Sequence, residues 1–407
     1  EGVPVLIIAD TVKGIGLEGA EEHFSGFHTM SRVRTEVVRE GIQRIDKKLD
    51  CDCVKSVLRK MEMVLGARPR LDYEMKWKPI HLNIFPSPKT PNHPDNCQFD
   101  YFFALQQKVD GGLLSRNNLY FLTADVTTKE VVASLGLSRM FHFHNVGIRE
   151  QHMVAMAHGL SVVRPEARIL INSFDAFTYR CIDQINATLQ GRGNMLIIGD
   201  VSGITNARNG KTHQTTGLTA ALLSMEGLTF LEPWDAADTF ECLNWAIGES
   251  RGVVYIRVHS SQIQHSPDKE TKRSLDYYVV KNTNSKPDIV LVGSGVTVDS
   301  CIGASEKLKA EGFQVRVINV LNPNTLDEEF AVLLEGSPVV LTVYNGHPRV
   351  LRQAVADALL KKVSYQPRIV QGLGFKVGTT GTFTEMIAWA GIDSDGVYRV
   401  AKGFLED

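Results

Sequence analysis

An α/β fold, with a mostly parallel sheet flanked by helices and a smaller α/β domain after it, is predicted by three observations. From Phe99 to about His259, short apolar runs alternate with segments of helical periodicity. Near Pro287 the alternation resumes with DIVLVGSGVTVDSCIGASEKL, a strand, a glycine turn and a helix. Within the first of these, the stretch Phe141–Leu160, FHFHNVGIREQHMVAMAHGL, reads as a strand, a glycine turn and a helix opened by Glu150. Met153, Val154, Ala157 and Leu160 fall on one face of that helix, which pins its first turn to the carboxyl edge of a sheet, where ligands of such sheets bind.

In chain order, GVPVLIIADT is a continuous apolar run of the kind found in inner parallel strands. The chain opens on it without methionine, and the expectation is that an N-terminal portion is absent, cleaved or carried by another polypeptide. Residues 11–28 form a glycine-rich loop, residues 30–66 amphipathic helices, and Lys76–Asn96 a proline-rich extended linker, with a boundary near residue 95. Then come a helix near Tyr101–Lys108, strands at Leu119–Leu122 and Ile169–Ile171, a helix at Phe177–Gln190, a strand at Met195–Ile198, a helix at Leu218–Met225, and strands at Thr229–Leu231 and Val253–Val258. The expected divisions are 1–35, 36–95, 96–265 and 266–407.

Composition excludes several classes. With 407 residues, 43% hydrophobic, 22% charged and a formal charge of −2, the chain is globular, and neither nucleic acid nor a membrane surface is implied as partner. No apolar run reaches the roughly 18 residues that span a bilayer, and no signal-peptide pattern opens the chain, so a cytoplasmic location is the default expectation. The six cysteines are scattered without a CxxC pair, which suggests neither a disulfide framework nor a zinc site. The GxG after the strand near Pro287 fails the dinucleotide fingerprint, having valine at the third glycine position.

Several residues are candidates for chemistry. Taken alone, Glu150 is either an acid/base group or a carboxylate complementing the helix dipole. Phe174 and Phe177, at the start of a helix, are either core or a ring-binding pair, and His28 and His213 either site groups or solvated loop histidines.

The string GIREQHMVAMAHGL resembles the glutamate motif of the thiamine diphosphate enzymes of the transketolase family. The resemblance extends to NSFDAFTYRCIDQI at 172–185, NGKTHQTTG at 209–217, LTADVTT at 122–128 and TVKGIGLEGAEEHFSGFH at 11–28. It implies a thiamine diphosphate-binding fold, with residues 1–35 ending the diphosphate domain, 96–265 binding the aminopyrimidine and 266–407 forming the C-terminal domain. On that likeness Glu150 meets N1′ of the aminopyrimidine, Phe174, Phe177 and Arg180 line its pocket, Asp125 lies near the thiazolium, and Lys13 and His28 belong to the closing loop. His213 contacts donor hydroxyls. The cofactors implied are thiamine diphosphate and Mg²⁺ (or Ca²⁺), the metal held by a diphosphate domain whose GDG motif is not found here. The implied reaction is transfer of a two-carbon ketol unit from a ketose to an aldehyde, in a homo-oligomer or in a hetero-oligomer with a polypeptide carrying the diphosphate domain. A deoxyxylulose phosphate synthase-like or 2-oxoacid dehydrogenase E1 β-like enzyme, and a non-catalytic assembly subunit, stay open as alternatives.

Positions that grip sugar phosphate in the family fall here on Gln98, Lys129, Val201 and Ser260, and only Lys129 carries a positive charge. A dianion is held by arginines and charge-assisted hydrogen bonds, so the expectation is an acceptor without a terminal phosphate, with Lys129 and Ser260 facing substrate. The alternative is that Arg257, Lys211 or Arg208 supplies the grip.

Overall fold

Six parallel strands make the first sheet and five strands the second. The computed structural model describes residues 79–88, 94, 97–110, 112, 114–127, 140–283, 285–361, 366–375 and 380–406, all within the unit spanning Met75–Asp407. The expected N-terminal strand, the loop with Lys13 and His28, the helices of residues 30–66, and Lys129 lie outside the described residues.

The first sheet is built from β1 (Leu119–Thr123), β2 (His142–Asn145), β3 (Arg168–Phe174), β4 (Met195–Asp200), β5 (Leu228–Leu231) and β6 (Val253–Arg257), in the order β2-β1-β3-β4-β6-β5. The order reverses between β1 and β3, a topological switch point of the kind that opens a crevice at the strands' carboxyl ends. Every residue of β6 and the first five of β4 are buried, as required of strands covered on both faces. One face packs on α1 (Cys97–Asp110) and α5 (Ala236–Gly248) through Tyr101, Phe102, Leu105, Phe240 and Leu243. The other packs on α2 (Glu150–Val163), α3 (Ile182–Gln190) and α4 (Leu218–Leu223) through Met153, Val154, Ala157, Ile185 and Leu222. Neighbouring residues take opposite faces: Phe121 points to α1 and Leu122 to α2.

Two elements differ from expectation. The segment read as the start of a helix at Phe177 is a 3₁₀ turn, Asp175–Cys181, and α3 begins at Ile182. Asp175 turns inward to accept hydrogen bonds from other elements, which holds the first turn away from α geometry. Helix α5 was not foreseen. Asp235 caps it, accepting from the N–H of Asp238 at 2.9 Å. Of the expected linker, residues 79–88 form no helix or strand and are docked: Ile80 N–H donates to Gly248 O, and the Asn244 side chain bonds both the N–H and the C=O of Ile84.

The second sheet holds β7 (Tyr277–Lys281), β8 (Ile289–Gly293), β9 (Val315–Val320), β10 (Val339–Val343) and β11 (Ile369–Leu373) in the order β11-β10-β8-β9-β7, with β7 antiparallel to β9. Helices α6 (Thr297–Ala310), α7 (Glu328–Leu333), α8 (Arg349–Lys361), α9 (Phe383–Trp389) and α10 (Ser394–Glu406) complete this domain. Strand β7, not foreseen, joins it ahead of Pro287. Among the described residues no helix is long and apolar enough to cross a membrane, and Cys97, Cys181, Cys242 and Cys301 are buried.

Candidate active site

Glu150 is the first residue of α2, five positions beyond the end of β2, and is 2% exposed. Burial follows from register: Met153, Val154 and Ala157 must face the sheet, which leaves the first turn over the strand ends. Its Oε1 accepts from Arg180 Nη1 at 2.6 Å. Among the described residues Oε2 receives no hydrogen bond, so one carboxylate oxygen is available to a ligand. Arg180, with a side chain 48% exposed, lays its guanidinium 4.5 Å from the Phe177 ring centre.

The two phenylalanines come from the end of β3 and the 3₁₀ turn, their rings 5.4 Å apart and tilted by 40°. His213 meets both edge-on, 5.0 Å from Phe177 and 6.0 Å from Phe174. Thr212 Oγ1 lies 2.9 Å from its Nδ1 and orients the ring. Glu150, Arg180, Phe174, Phe177 and His213 are therefore one contiguous cluster. Asp125 shares the strand edge, exposed, at φ 64°, with its N–H and Oδ1 bonded to the Asn145 amide. Ser260 stands apart, lining a cavity of about 450 Å³ with Thr205, His265, Asp299 and Phe383.

Two domain families match: the transketolase pyrimidine-binding domain over residues 98–265 and the transketolase C-terminal domain over residues 278–397. The chain belongs to the transketolase family. It is 24% identical over 294 residues to the proposed C-terminal section of a transketolase from Methanocaldococcus jannaschii, covering 71% of this chain and 90% of that one. Human transketolase is 21% identical over 412 residues, 99% of this chain and 62% of that enzyme. A 1-deoxy-D-xylulose-5-phosphate synthase from Anaeromyxobacter sp. is 28% identical over 280 residues, 65% of this chain and 42% of that enzyme. The chain thus spans about two fifths to three fifths of the length of these two enzymes. Among solved structures, one described as a split-gene transketolase in an inactive β4 tetramer superposes with a TM-score of 0.63 at 22% identity, over 77% of this chain and 98% of that one. Transketolase from Campylobacter jejuni superposes with a TM-score of 0.64 at 14% identity, over 95% of this chain and 61% of that one.

Beneath this transketolase-family cluster lies a buried polar network that was not foreseen. Asp175, between the two phenylalanines, accepts from Thr215 Oγ1 in a short hydrogen bond, from Tyr255 OH at 2.7 Å, from Arg257 Nε at 3.0 Å and from Gly203 N–H at 3.3 Å. Arg257 is 1% exposed, and its other nitrogens reach Glu232 Oε1 at 2.5 Å and Asn345 O at 2.9 Å. Burial works against the guanidinium's charge, but Asp175 and Glu232 outweigh it and carry its pKa upward. Burial raises the Glu232 carboxyl despite Arg257, and burial with Asp175 nearby keeps Tyr255 a protonated donor. One sequence signal for this network was present, since Asp175 is the charged residue inside SFDAF.

Of the positions expected to bear on phosphate, Gln98 is buried and donates to Asp200 Oδ2 at 3.1 Å. Val201 sits at φ 55°, unusual for a β-branched residue. Arg257 is enclosed as above, whereas Arg208 and Lys211 are exposed. Among the described residues no group of His, Cys, Asp and Glu could hold a metal ion.

Proposed function

We propose that this chain is the aminopyrimidine-binding part of a thiamine diphosphate-dependent transketolase-like enzyme that moves a two-carbon ketol unit from a ketose to an aldehyde. The observation that carries this reading is Glu150, a buried carboxylate with one unengaged oxygen beside an aromatic pair and a histidine. Those residues fit the cofactor: Phe174 and Phe177 suit an aromatic ring, and Glu150 Oε2 suits a ring nitrogen. When bound, thiamine diphosphate supplies the carbanion chemistry. Glu150 presents Oε2, beside Phe174 and Phe177, as the atom through which a proton moves to and from the ligand. Arg180 fixes the carboxylate's orientation. His213, in contact with both rings, offers Nε2 to a substrate hydroxyl, as donor or acceptor according to tautomer. Asp125 and, on the family likeness, Lys13 and His28 complete the site.

Mg²⁺ (or Ca²⁺) and the diphosphate are held by a diphosphate domain in the assembled homo- or hetero-oligomer. With thiamine diphosphate and Mg²⁺, residues 1–407 by themselves are expected to give no ketol transfer, and an assembly that includes the diphosphate domain, on the same or another polypeptide, is expected to give it. Ketol transfer by this chain alone would refute the division of labour. Decarboxylation of pyruvate by the complex would instead favour the synthase-like or E1 β-like alternative.

The acceptor, on this reading, lacks a terminal phosphate. Enclosure of Arg257 by Asp175 and Glu232 supports this, as do Gln98 and Val201 at two positions of the family's phosphate grip, leaving Lys129 and Ser260 to meet a neutral or carboxylated acceptor. Comparing kcat/KM for ribose and ribose 5-phosphate tests it. A preference of about a hundredfold or more for the phosphate would mean a difference of nearly 3 kcal/mol in transition-state stabilisation and would end the proposal.

A further inference from the structure

We infer that the segment Tyr344-Asn345-Gly346-His347 of the C-terminal domain is a positioning element for the His213 loop, with Asn345 its central residue; the catalytic part of this inference rests on the function proposed above. The segment follows β10 and is inserted beneath the first sheet's carboxyl edge. Asn345 is fully buried, and its side-chain amide spans one loop of the other domain, accepting from Ile204 N–H at 3.1 Å and donating to Ser202 O at 3.1 Å. Between them lies Gly203, at φ 59°, where an added Cβ would fall 2.2 Å from Asn345 Oδ1. Only glycine permits this approach.

Gly203 in turn holds the histidine loop. Its C=O accepts from Thr215 N–H at 3.3 Å, and its N–H is shared between Thr215 Oγ1 and Asp175 Oδ2. One residue further on, Thr216 O accepts from His347 N–H at 3.0 Å. Tyr344 OH bonds Thr219 at the start of α4, 3.0 Å away, and Glu232. Both ends of the chain between Ser202 and Thr219, with His213 between them, are thus tied to Tyr344, Asn345 and His347 of the C-terminal domain. Asp175 links the same ties to the turn carrying Phe174 and Phe177. Among the described residues no hydrogen bond or ring contact joins this segment to the ring cluster itself, so its action is on geometry: it sets where His213 stands relative to the two phenylalanines.

Hydrogen–deuterium exchange on the full chain tests this without requiring activity. Asn345→Ser is expected to raise exchange of amides in residues 202–205 and 213–217 about tenfold while leaving α2 and α5 unchanged. Asn345→Asp keeps the acceptor for Ile204 N–H, loses the donor to Ser202 O, and is expected to fall between, which serves if the serine variant does not fold. Asn319→Ser is the matched control, since Asn319 is fully buried in the same domain and bonds Asp238 at 2.9 Å. Unchanged exchange in the two loops, or a uniform rise throughout the chain, would overturn the inference. In the assembled enzyme, Asn345→Ser is expected to lower kcat about tenfold to a hundredfold at unchanged cofactor affinity, and Asn319→Ser to leave kcat within about twofold. Equal losses in both would overturn the catalytic part. Absence of ketol transfer by the unsubstituted complex would defeat the proposed function while leaving the exchange result standing.

Discussion

Replacing Arg257 by methionine removes the cation on which two buried carboxylates depend. Methionine keeps much of the length and apolar stem, so packing changes little and electrostatics dominate. Asp175 keeps Thr215, Tyr255 and Gly203 as donors, whereas Glu232 keeps Tyr344 and a long contact from Ser294 at 3.5 Å. Removing one partner of a buried ion pair costs about 3–5 kcal/mol, and hydrogen bonds recover part of it by stabilising a protonated Glu232. For a domain of this size that corresponds to a fall in Tm of roughly 6–20 °C. The pH signature is specific. Without Arg257 the folded-state pKa of the Glu232 carboxyl, already raised by burial, rises further. The folded variant then binds more protons than its unfolded chain, and its stability increases as pH falls toward the unfolded carboxylate range near 4. The deficit relative to the unsubstituted chain should therefore narrow between pH 7 and pH 5, read by thermal unfolding monitored by circular dichroism. A Tm within about 2 °C of the parent at pH 7, or a deficit independent of pH, would refute the reasoning.

Two further substitutions probe the same strand edge. Burial lowers His259 to about 4, and its Nε2 lies 2.7 Å from Trp234 O. A pKa held below the unfolded value of about 6.5 means that stability is present above pH 6.5 and lost as pH falls toward 4, at about 1.4 kcal/mol per unit. His259→Gln, which can bond both Trp234 O and the Ser261 N–H that donates to His259 Nδ1 at 3.3 Å, should remove that slope in urea titrations, and parallel slopes for the two proteins would contradict it. Val201→Asn places a residue that tolerates left-handed backbone at φ 55° and should stabilise by about 1 kcal/mol, with a loss of similar size the contrary outcome.

Much of the architecture was readable because the strands of a parallel sheet covered on both faces are short, nearly continuous apolar runs. Helix α5 escaped because it is buried almost all round, from Ala236 and Phe240 to Leu243 and Ile247, and shows no polar face to set its period. The turn at Asp175–Cys181 was read as α because local spacing cannot register the long-range bonds that bend it. The same distinction divides the site. Glu150, Phe174, Phe177, Arg180 and His213 sit in short strings at strand ends, where local pattern is informative, and the fold brings them into contact. Asp175, Arg257 and Asn345 cooperate across 82 and 88 positions of chain, and a buried arginine reads in sequence like an exposed one.

The central claim is that Glu150 exchanges a proton with bound thiamine diphosphate, and Glu150→Gln tests it most directly. Glutamine keeps the shape and can still bond Arg180 through its carbonyl oxygen, but cannot cycle a proton at Oε2. In the assembled complex, turnover of a ketose donor should fall by about 10²–10⁴, the scale of a lost general acid/base, while the cofactor still binds, more weakly. Turnover within a few fold of the unsubstituted complex would contradict the account.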